Sequence, residues 1–156
     1  MAVTPAEQIE VDEDDLAPVV AAMAALAERA SGWVNLVPDV ADGDAPTSRS
    51  LLAEIFSARG DPVPMATWTP PEAPGRRATL GIQHGAGPKA LARLEANGLP
   101  LPEGWWKVAD HSRRGLVLTT PPDADLDDVV WWLLTASHAL SQVPLSGAWR
   151  ADVYRP

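Results

Sequence analysis

The stretch from Ala78 to Asn97 constrains the fold most, because it changes from a strand pattern to a helix pattern within a few residues. A short apolar run ends at Gly85-Ala86-Gly87, and a helix is predicted from Pro88 onwards. Proline is favoured at the first helical position, where its missing N–H costs nothing. Gly98 followed by an apolar residue is typical of a Schellman ending. This segment therefore predicts a strand, a tight turn and a helix.

The remainder of the chain repeats this alternation. The patterns predict a strand at Arg77–Gln83, a helix at Pro88–Asn97, a hairpin of Trp105–Asp110 with Gly115–Thr120, a helix at Val129–Leu140 capped by Asp125, and a strand at Trp149–Tyr154. Residues 77–154 then have the order βαββαβ, which is the arrangement of ferredoxin-like domains. We therefore expect an α+β fold with an antiparallel sheet and helices on one face.

The first half of the chain predicts an α-β-α-β extension in front of that core. Its predicted elements are a helix from about Leu16 to Ala30 with Pro18 in its first turn and Gly32 as its left-handed cap, a strand at Trp33–Val37, a short helix capped by Ser48 or Ser50, and a strand at Val63–Trp68 that two prolines restrict to an edge or a strand start. Residues 1–11 are predicted to be a flexible acidic tail. Residues 12–156 then form one domain, with 12–75 as the extension and 76–156 as the core.

Composition limits the functional classes. The chain has 156 residues, no cysteine and a formal net charge of −9. Such acidity argues against a nucleic-acid partner, because phosphates favour a basic surface. The N-terminus lacks the basic region of a signal peptide, and the longest apolar run is too short to span a bilayer, so no membrane partner is expected. A cysteine-free chain also fits the cytoplasm.

The βαββαβ topology brings one group of chemically capable residues to the same end of the sheet. We name this group the histidine rim; it comprises His84, Gly85, Gly87, Lys89, His111, Arg113, Arg114 and His138. Backbone N–H groups at a helix N-terminus and arginine side chains are both suited to an anion. The sequence therefore raises the hypothesis of a small anionic ligand bound at this rim. The simpler alternative is that the glycines only turn the backbone and the arginines are solvated.

The sequence lacks more specific motifs for phosphate binding, metal binding or catalysis. Gly87 is followed by Pro88, where a P-loop requires Lys and then Ser or Thr. The three histidines lack the local spacing of a metal site, so no metal and no cofactor is expected. His84 and His138 remain candidates for a general base, but no acid and base pair stands at a usable spacing. An enzyme is therefore the least favoured interpretation.

The seven tryptophans point to an interaction surface. In the last helix, Val129, Trp132 and Leu133 lie on one apolar face, whereas Trp131 and Leu134 lie on a second one. The first helix could cover this second face, and that is the favoured structural interpretation. Otherwise the face would be an interface, where aromatic residues concentrate.

These observations favour an interaction or regulatory module without catalytic activity. Its partner would be another protein or a second copy of the chain, bound through Trp131 and Leu134 or through a sheet edge. A small anionic ligand at the histidine rim is the alternative, and an enzyme with a histidine base ranks third.

Overall fold

The computed structural model of the protein describes residues 3–41 and 62–156. These residues form seven strands and three helices. In chain order they are β1 (Glu7–Asp12), α1 (Ala17–Arg29), β2 (Trp33–Val40), β3 (Met65–Thr69), β4 (Ala78–Gln83), α2 (Ala90–Ala96), β5 (Trp106–His111), β6 (Gly115–Thr120), α3 (Leu126–Leu140) and β7 (Leu145–Tyr154). The helix predicted after Ser48 or Ser50 lies outside the described residues.

All seven strands belong to one sheet, in the order β1-β7-β2-β3-β4-β6-β5, and every neighbouring pair is antiparallel. The prediction of a ferredoxin-like βαββαβ core is wrong. In that core the last strand would pair with β4, but β7 pairs with β1 and β2, and both β2 and β3 lie between β7 and β4. The strands of the predicted extension are therefore central to the sheet. The broader prediction of an antiparallel sheet with helices remains compatible with this architecture.

Each end of the sheet contains a split β-α-β unit, meaning two parallel strands that are joined by a helix and separated by a third strand. At one end, α1 joins β1 to β2 and β7 lies between them. At the other end, α2 joins β4 to β5 and β6 lies between them. We call these the N-terminal unit and the C-terminal unit.

The helices form a layer in which α3 contacts both α1 and α2. Beneath them, alternate strand residues face the core, and one row runs across neighbouring strands through Val34, Trp68, Leu80 and Leu118. This row shares one buried cluster with Leu133 of α3. Among the described residues no helix is long and apolar enough to cross a membrane.

Several predicted helix ends are confirmed. Asp125 caps α3, since its carboxylate accepts hydrogen bonds from the N–H groups of Asp127 at 2.8 Å and Asp128 at 3.4 Å. The Leu99 N–H donates to the Leu94 carbonyl at 2.8 Å, which completes the predicted Schellman ending of α2. Both contacts satisfy backbone groups that the end of a helix leaves unpaired.

Other local predictions differ from the structure. Residues 7–11 are not a tail, because β1 pairs with β7 from Glu7 to Asp12. The left-handed cap of α1 is Ala30 rather than Gly32, although Gly32 also has a positive φ of 88°. β3 is a central strand that begins at Met65, after both prolines, so the alternative of an edge strand does not hold.

Candidate functional site

His84 follows the last residue of β4 and is 1% exposed. Its Nδ1 accepts a hydrogen bond from the Ala86 N–H at 3.1 Å, so the ring holds the glycine turn that begins there. Burial lowers the pKa of His84, and the nearby charge of Arg93 lowers it further, against an opposing effect of Asp110. Within the described residues His84 Nε2 has no hydrogen-bond partner. The ring is therefore a neutral, structural part of the turn.

The N-terminus of α2 is already occupied by a carboxylate of the chain itself. Asp110 on β5 accepts hydrogen bonds from the N–H groups of Ala90 at 3.1 Å and Leu91 at 3.0 Å. Lys89 precedes the helix in a left-handed conformation with φ of 60°. Because Asp110 fills the position that a bound anion would take, these two N–H groups are not free for a ligand.

The turn between β4 and α2 is closed by a further internal contact. The Arg93 guanidinium donates to the carbonyl of Ala86. Gly87 has a positive φ of 92°, and an added Cβ would meet only the Arg93 side chain, at 3.9 Å. Gly85 is buried beside it. Both backbone polar groups of Ala86 are therefore bonded within the chain.

The tip of the β5–β6 hairpin lies at the same end of the sheet as His84. His111 Nδ1 accepts from the N–H groups of Arg113 at 3.1 Å and Arg114 at 3.3 Å, so this histidine also organises a turn. Both arginine residues are exposed. In the described part of the chain neither guanidinium takes part in a salt bridge. The tip therefore offers two cations at the surface.

His138 lies in the other half of the molecule. Its Nε2 is 2.7 Å from Glu13 Oε1, and its ring packs edge-on against Trp149 of β7 with the centroids 5.5 Å apart. Since β2 and β3 separate β7 from β4, the histidine rim is divided into two groups. His84, His111 and the two tip arginines are in the C-terminal unit, whereas His138 packs against β7. Among the described residues no group of three or more His, Asp or Glu could hold a metal ion.

The two residues predicted as an interface on α3 have different environments. Leu134 is 4% exposed and belongs to the core. Trp131 is 55% exposed, and its neighbours Asp127, Asp128 and Thr135 are not buried either. α1 contacts α3, but the exposure of Trp131 shows that the second face is not covered completely, contrary to the favoured structural interpretation. Of the two residues, Trp131 is the exposed one.

Among the described strands and helices, the large apolar side chains with the highest exposed fractions lie on β5, which is an edge strand. Trp106 is 61% exposed and Val108 is 62% exposed. Trp105, the other member of the doublet, is 7% exposed and packs against Trp132 with ring centroids 5.4 Å apart. The doublet predicted that the two tryptophans point in different directions, but no sequence pattern indicated that β5 would be at the edge of the sheet formed by the described residues.

No protein-family model, curated protein or solved structure matches this chain.

The exposed ring of Trp106 is held in position by a contact on one of its faces. The Arg77 guanidinium stacks on it at 3.6 Å from the ring centroid. Arg77 is itself fixed, because its Nε donates to the Thr119 hydroxyl at 2.9 Å and its Nη2 donates to the Thr119 and Gly104 carbonyls. A ring that is both exposed and oriented loses little conformational entropy when it contacts a partner.

Proposed function

We propose that the protein is a non-catalytic interaction module that binds an extended segment of another polypeptide along β5. The observation that carries the proposal is the exposure of Trp106 and Val108, 61% and 62%, on a strand that has no neighbour on its outer side among residues 3–41 and 62–156. An edge strand offers backbone N–H and C=O groups to an added strand, and alternate side chains then contribute specificity.

The shape of β5 limits how much can be added. Its register with β6 shifts between Lys107 and Ala109, so Val108 lies at a bulge. Bulges bend an edge and prevent long, unrestricted pairing between sheets. This geometry supports binding of a short segment over the six residues of β5 rather than fusion of two sheets.

Charge favours an acidic segment. Lys107, Arg113 and Arg114 lie on the β5–β6 hairpin, whereas the chain as a whole has a formal net charge of −9. The hairpin's own carboxylate, Asp110, is engaged with α2. A second copy of the chain is the other form of partner, but pairing two β5 strands would bring two basic hairpins together.

The other interpretations receive less support. A small anionic ligand would have to displace Asp110 from α2 or bind through Arg113 and Arg114 alone. A histidine general base would be His84, which is buried and fixed to the Ala86 N–H, or His138, whose Nε2 is engaged with Glu13 Oε1 at 2.7 Å. We also propose that the protein is located in the cytoplasm, because its sequence has no cysteine.

The experiment is a titration of the ¹⁵N-labelled protein with synthetic peptides, followed by amide spectra. One peptide alternates valine with glutamate, a second alternates valine with lysine, and a third is the first with alternate amides N-methylated. We expect saturable shifts at β5 and β6 with the first peptide, and weaker shifts with the other two. Absence of shifts at β5, or equal binding of the N-methylated peptide, would contradict strand addition.

Two variants form the matched control. Trp106→Ser should weaken binding of the valine-glutamate peptide, whereas Trp131→Ser, which removes an equally exposed tryptophan from α3, should leave it unchanged. Sedimentation of both variants tests self-association. A dimer of the native chain that Trp131→Ser dissociates and Trp106→Ser does not would assign the interaction to α3 instead.

A further inference from the structure

The guanidinium of Arg77 has no acidic partner in the described part of the chain. Two other arginines do have one, since Arg150 pairs with Asp152 at 2.7 Å and Arg155 pairs with Glu7 at 2.8 Å. Among the residues that the structure describes, Arg77 takes part in no salt bridge, although acidic residues outnumber Lys and Arg by 21 to 12 in the whole chain. The charge of Arg77 is therefore not used for an ion pair within these residues.

Unlike a freely moving surface arginine, Arg77 is held in one orientation. Its Nε donates to the Thr119 hydroxyl, its Nη2 donates to the Thr119 and Gly104 carbonyls, and its guanidinium lies over the Trp106 ring. These hydrogen bonds leave the N–H groups of Nη1. Arg77 is half-buried, yet Nη1 is not among the fully buried unpaired atoms of the described residues, so solvent reaches it. The fold thus orients donors that it does not occupy.

These donors lie beside the strand to which the proposed function assigns a polypeptide partner. Trp106 is the first residue of β5 and His111 is the last. Roughly 17 Å of strand separates the two, at about 3.4 Å per residue. Arg113 and Arg114, at the hairpin tip, are therefore at the other end of β5 from Arg77. A carboxylate at each end of a bound segment would meet a different cation.

We propose that Arg77 recognises an acidic side chain of the bound polypeptide, whose carboxylate accepts hydrogen bonds from Nη1 beside Trp106. This assignment rests on the proposed function, because the carboxylate belongs to a segment that pairs with β5. A carboxylate fits because its hydrogen bonds with a guanidinium are charge-assisted and stronger than neutral ones. Since Arg77 is already fixed, little side-chain entropy is lost on binding. The partner is then an extended segment with an acidic residue at the Trp106 end of β5.

The test compares the valine-glutamate peptide with the same peptide in which glutamine replaces glutamate. Both are acetylated and amidated, so that glutamate side chains are the only carboxylates, and amide spectra of the labelled chain give both dissociation constants. We expect the native chain to prefer the glutamate peptide, and Arg77→Gln to lower this preference about tenfold, the ratio that a hydrogen bond to a charged group provides. Arg76→Gln, which removes the same charge from the exposed neighbouring residue, should change the preference less than about twofold.

The ratio of the two affinities separates carboxylate binding from support of the Trp106 ring. If Arg77→Gln weakens both peptides equally, Arg77 only holds the ring and the assignment is overturned. An equal fall in preference with Arg76→Gln would also overturn it, because net charge alone would then explain the effect. If neither peptide binds the native chain, the proposed function fails together with the assignment. Binding of both peptides with an unchanged ratio in Arg77→Gln overturns the assignment alone.

Discussion

The two ends of the sheet have the same topology but different chemistry. In the N-terminal unit, a helix of 13 residues joins β1 to β2, and in the C-terminal unit a helix of 7 residues joins β4 to β5. Each unit ends in an edge strand of 6 residues. The edge of the first unit carries Glu7, Glu10 and Asp12, all exposed, whereas the edge of the second carries Trp106 and Val108.

This difference shows which edge is protected against pairing. Charged side chains on an edge strand prevent edge-to-edge association, and three carboxylates on β1 fulfil that role. β5 has a bulge and one lysine but retains two large apolar side chains in solvent. Two units of identical topology thus have different edges: β1 is protected by charge, and we call it the closed edge, whereas β5 exposes apolar side chains, and we call it the open edge. Each unit can be tested separately.

The largest expected effect comes from a glycine in each unit that lies against backbone. An added Cβ would be 2.3 Å from the Ile82 carbonyl oxygen at Gly115, and 2.2 Å from the Tyr154 carbonyl oxygen at Gly32. Both glycines have φ near 90°. We expect Gly115→Ala and Gly32→Ala each to lower the free energy of unfolding by about 3 kcal/mol or more, measured by urea denaturation.

Gly98 is the matched control for both substitutions. Its φ is 88°, but an added Cβ would meet nothing within 4 Å. Gly98→Ala should therefore cost only the backbone strain, about 1–2 kcal/mol. If Gly115→Ala were no more destabilising than Gly98→Ala, the close packing of the hairpin against β4 would be disproved.

The second prediction concerns the caps of the helices. Asp110 in the C-terminal unit and Asp125 at α3 each accept two backbone hydrogen bonds. Replacing either by alanine should cost about 1 kcal/mol, because helical N–H groups lose their partner. Thermal denaturation measures the loss, with Asp123→Ala as an exposed control that should have no effect. An unchanged melting temperature for Asp110→Ala would mean that α2 needs no cap.

Sequence patterns located most of the elements but not their neighbours. Asp125, Gly98 and Gly115 mark their turns and caps because those effects are local and depend on a few adjacent residues. The pairing of β7 with β1 and β2 is a contact between distant segments, and no local pattern specifies it. β1 was missed because it is short and mostly polar, with Val11 as its one buried residue.

The candidate site was harder to predict for the same reason. The sequence correctly selected the glycine turn as a special backbone, but it could not show that Asp110, twenty residues after Ala90, fills the helix N-terminus. Likewise, the spacing on α3 grouped Leu134 with Trp131, but in the structure Leu134 is buried and Trp131 is exposed. The exposure of Trp106 depends on β5 being at the edge, which is a property of the whole sheet.

The third prediction uses pH to separate the two units. His84 in the C-terminal unit has a pKa lowered mainly by burial from its usual 6.5. The unfolded chain therefore takes up a proton near that pH before the folded chain does, and stability falls as the pH drops below it. His84→Asn, which keeps an acceptor for the Ala86 N–H, should make the urea midpoint less dependent on pH between about 7 and 5.

Glu13 makes the stability of the N-terminal unit depend on pH in a lower pH range than His84 does for the C-terminal unit. Partial burial would raise the pKa of Glu13, but hydrogen bonds from Trp149 and His138, together with the charge of His138, outweigh it and lower the pKa from its usual 4.5. A lowered carboxyl pKa stabilises the fold above the unfolded value, and this contribution is lost as the pH falls through the folded value. Glu13→Gln should therefore flatten the urea midpoint below about pH 5, whereas the effect of His84→Asn should begin near pH 7. Identical pH profiles for the two variants would refute the separation.

The smallest effect is expected at the open edge itself. Trp106→Ser removes a ring that is 61% exposed and that stacks with the Arg77 guanidinium, so it should cost only about 0.5–1 kcal/mol of stability. Trp131→Ser should cost less still, because Trp131 stacks on no cation of the described residues. Both variants are measured by urea denaturation beside the native chain. A loss of several kcal/mol on Trp106→Ser would mean that this ring stabilises the fold, and β5 would then have no side chain left over for a partner. A loss within the expected range would mean that selection for stability does not explain a large apolar ring on an unpaired edge, which leaves binding as its reason.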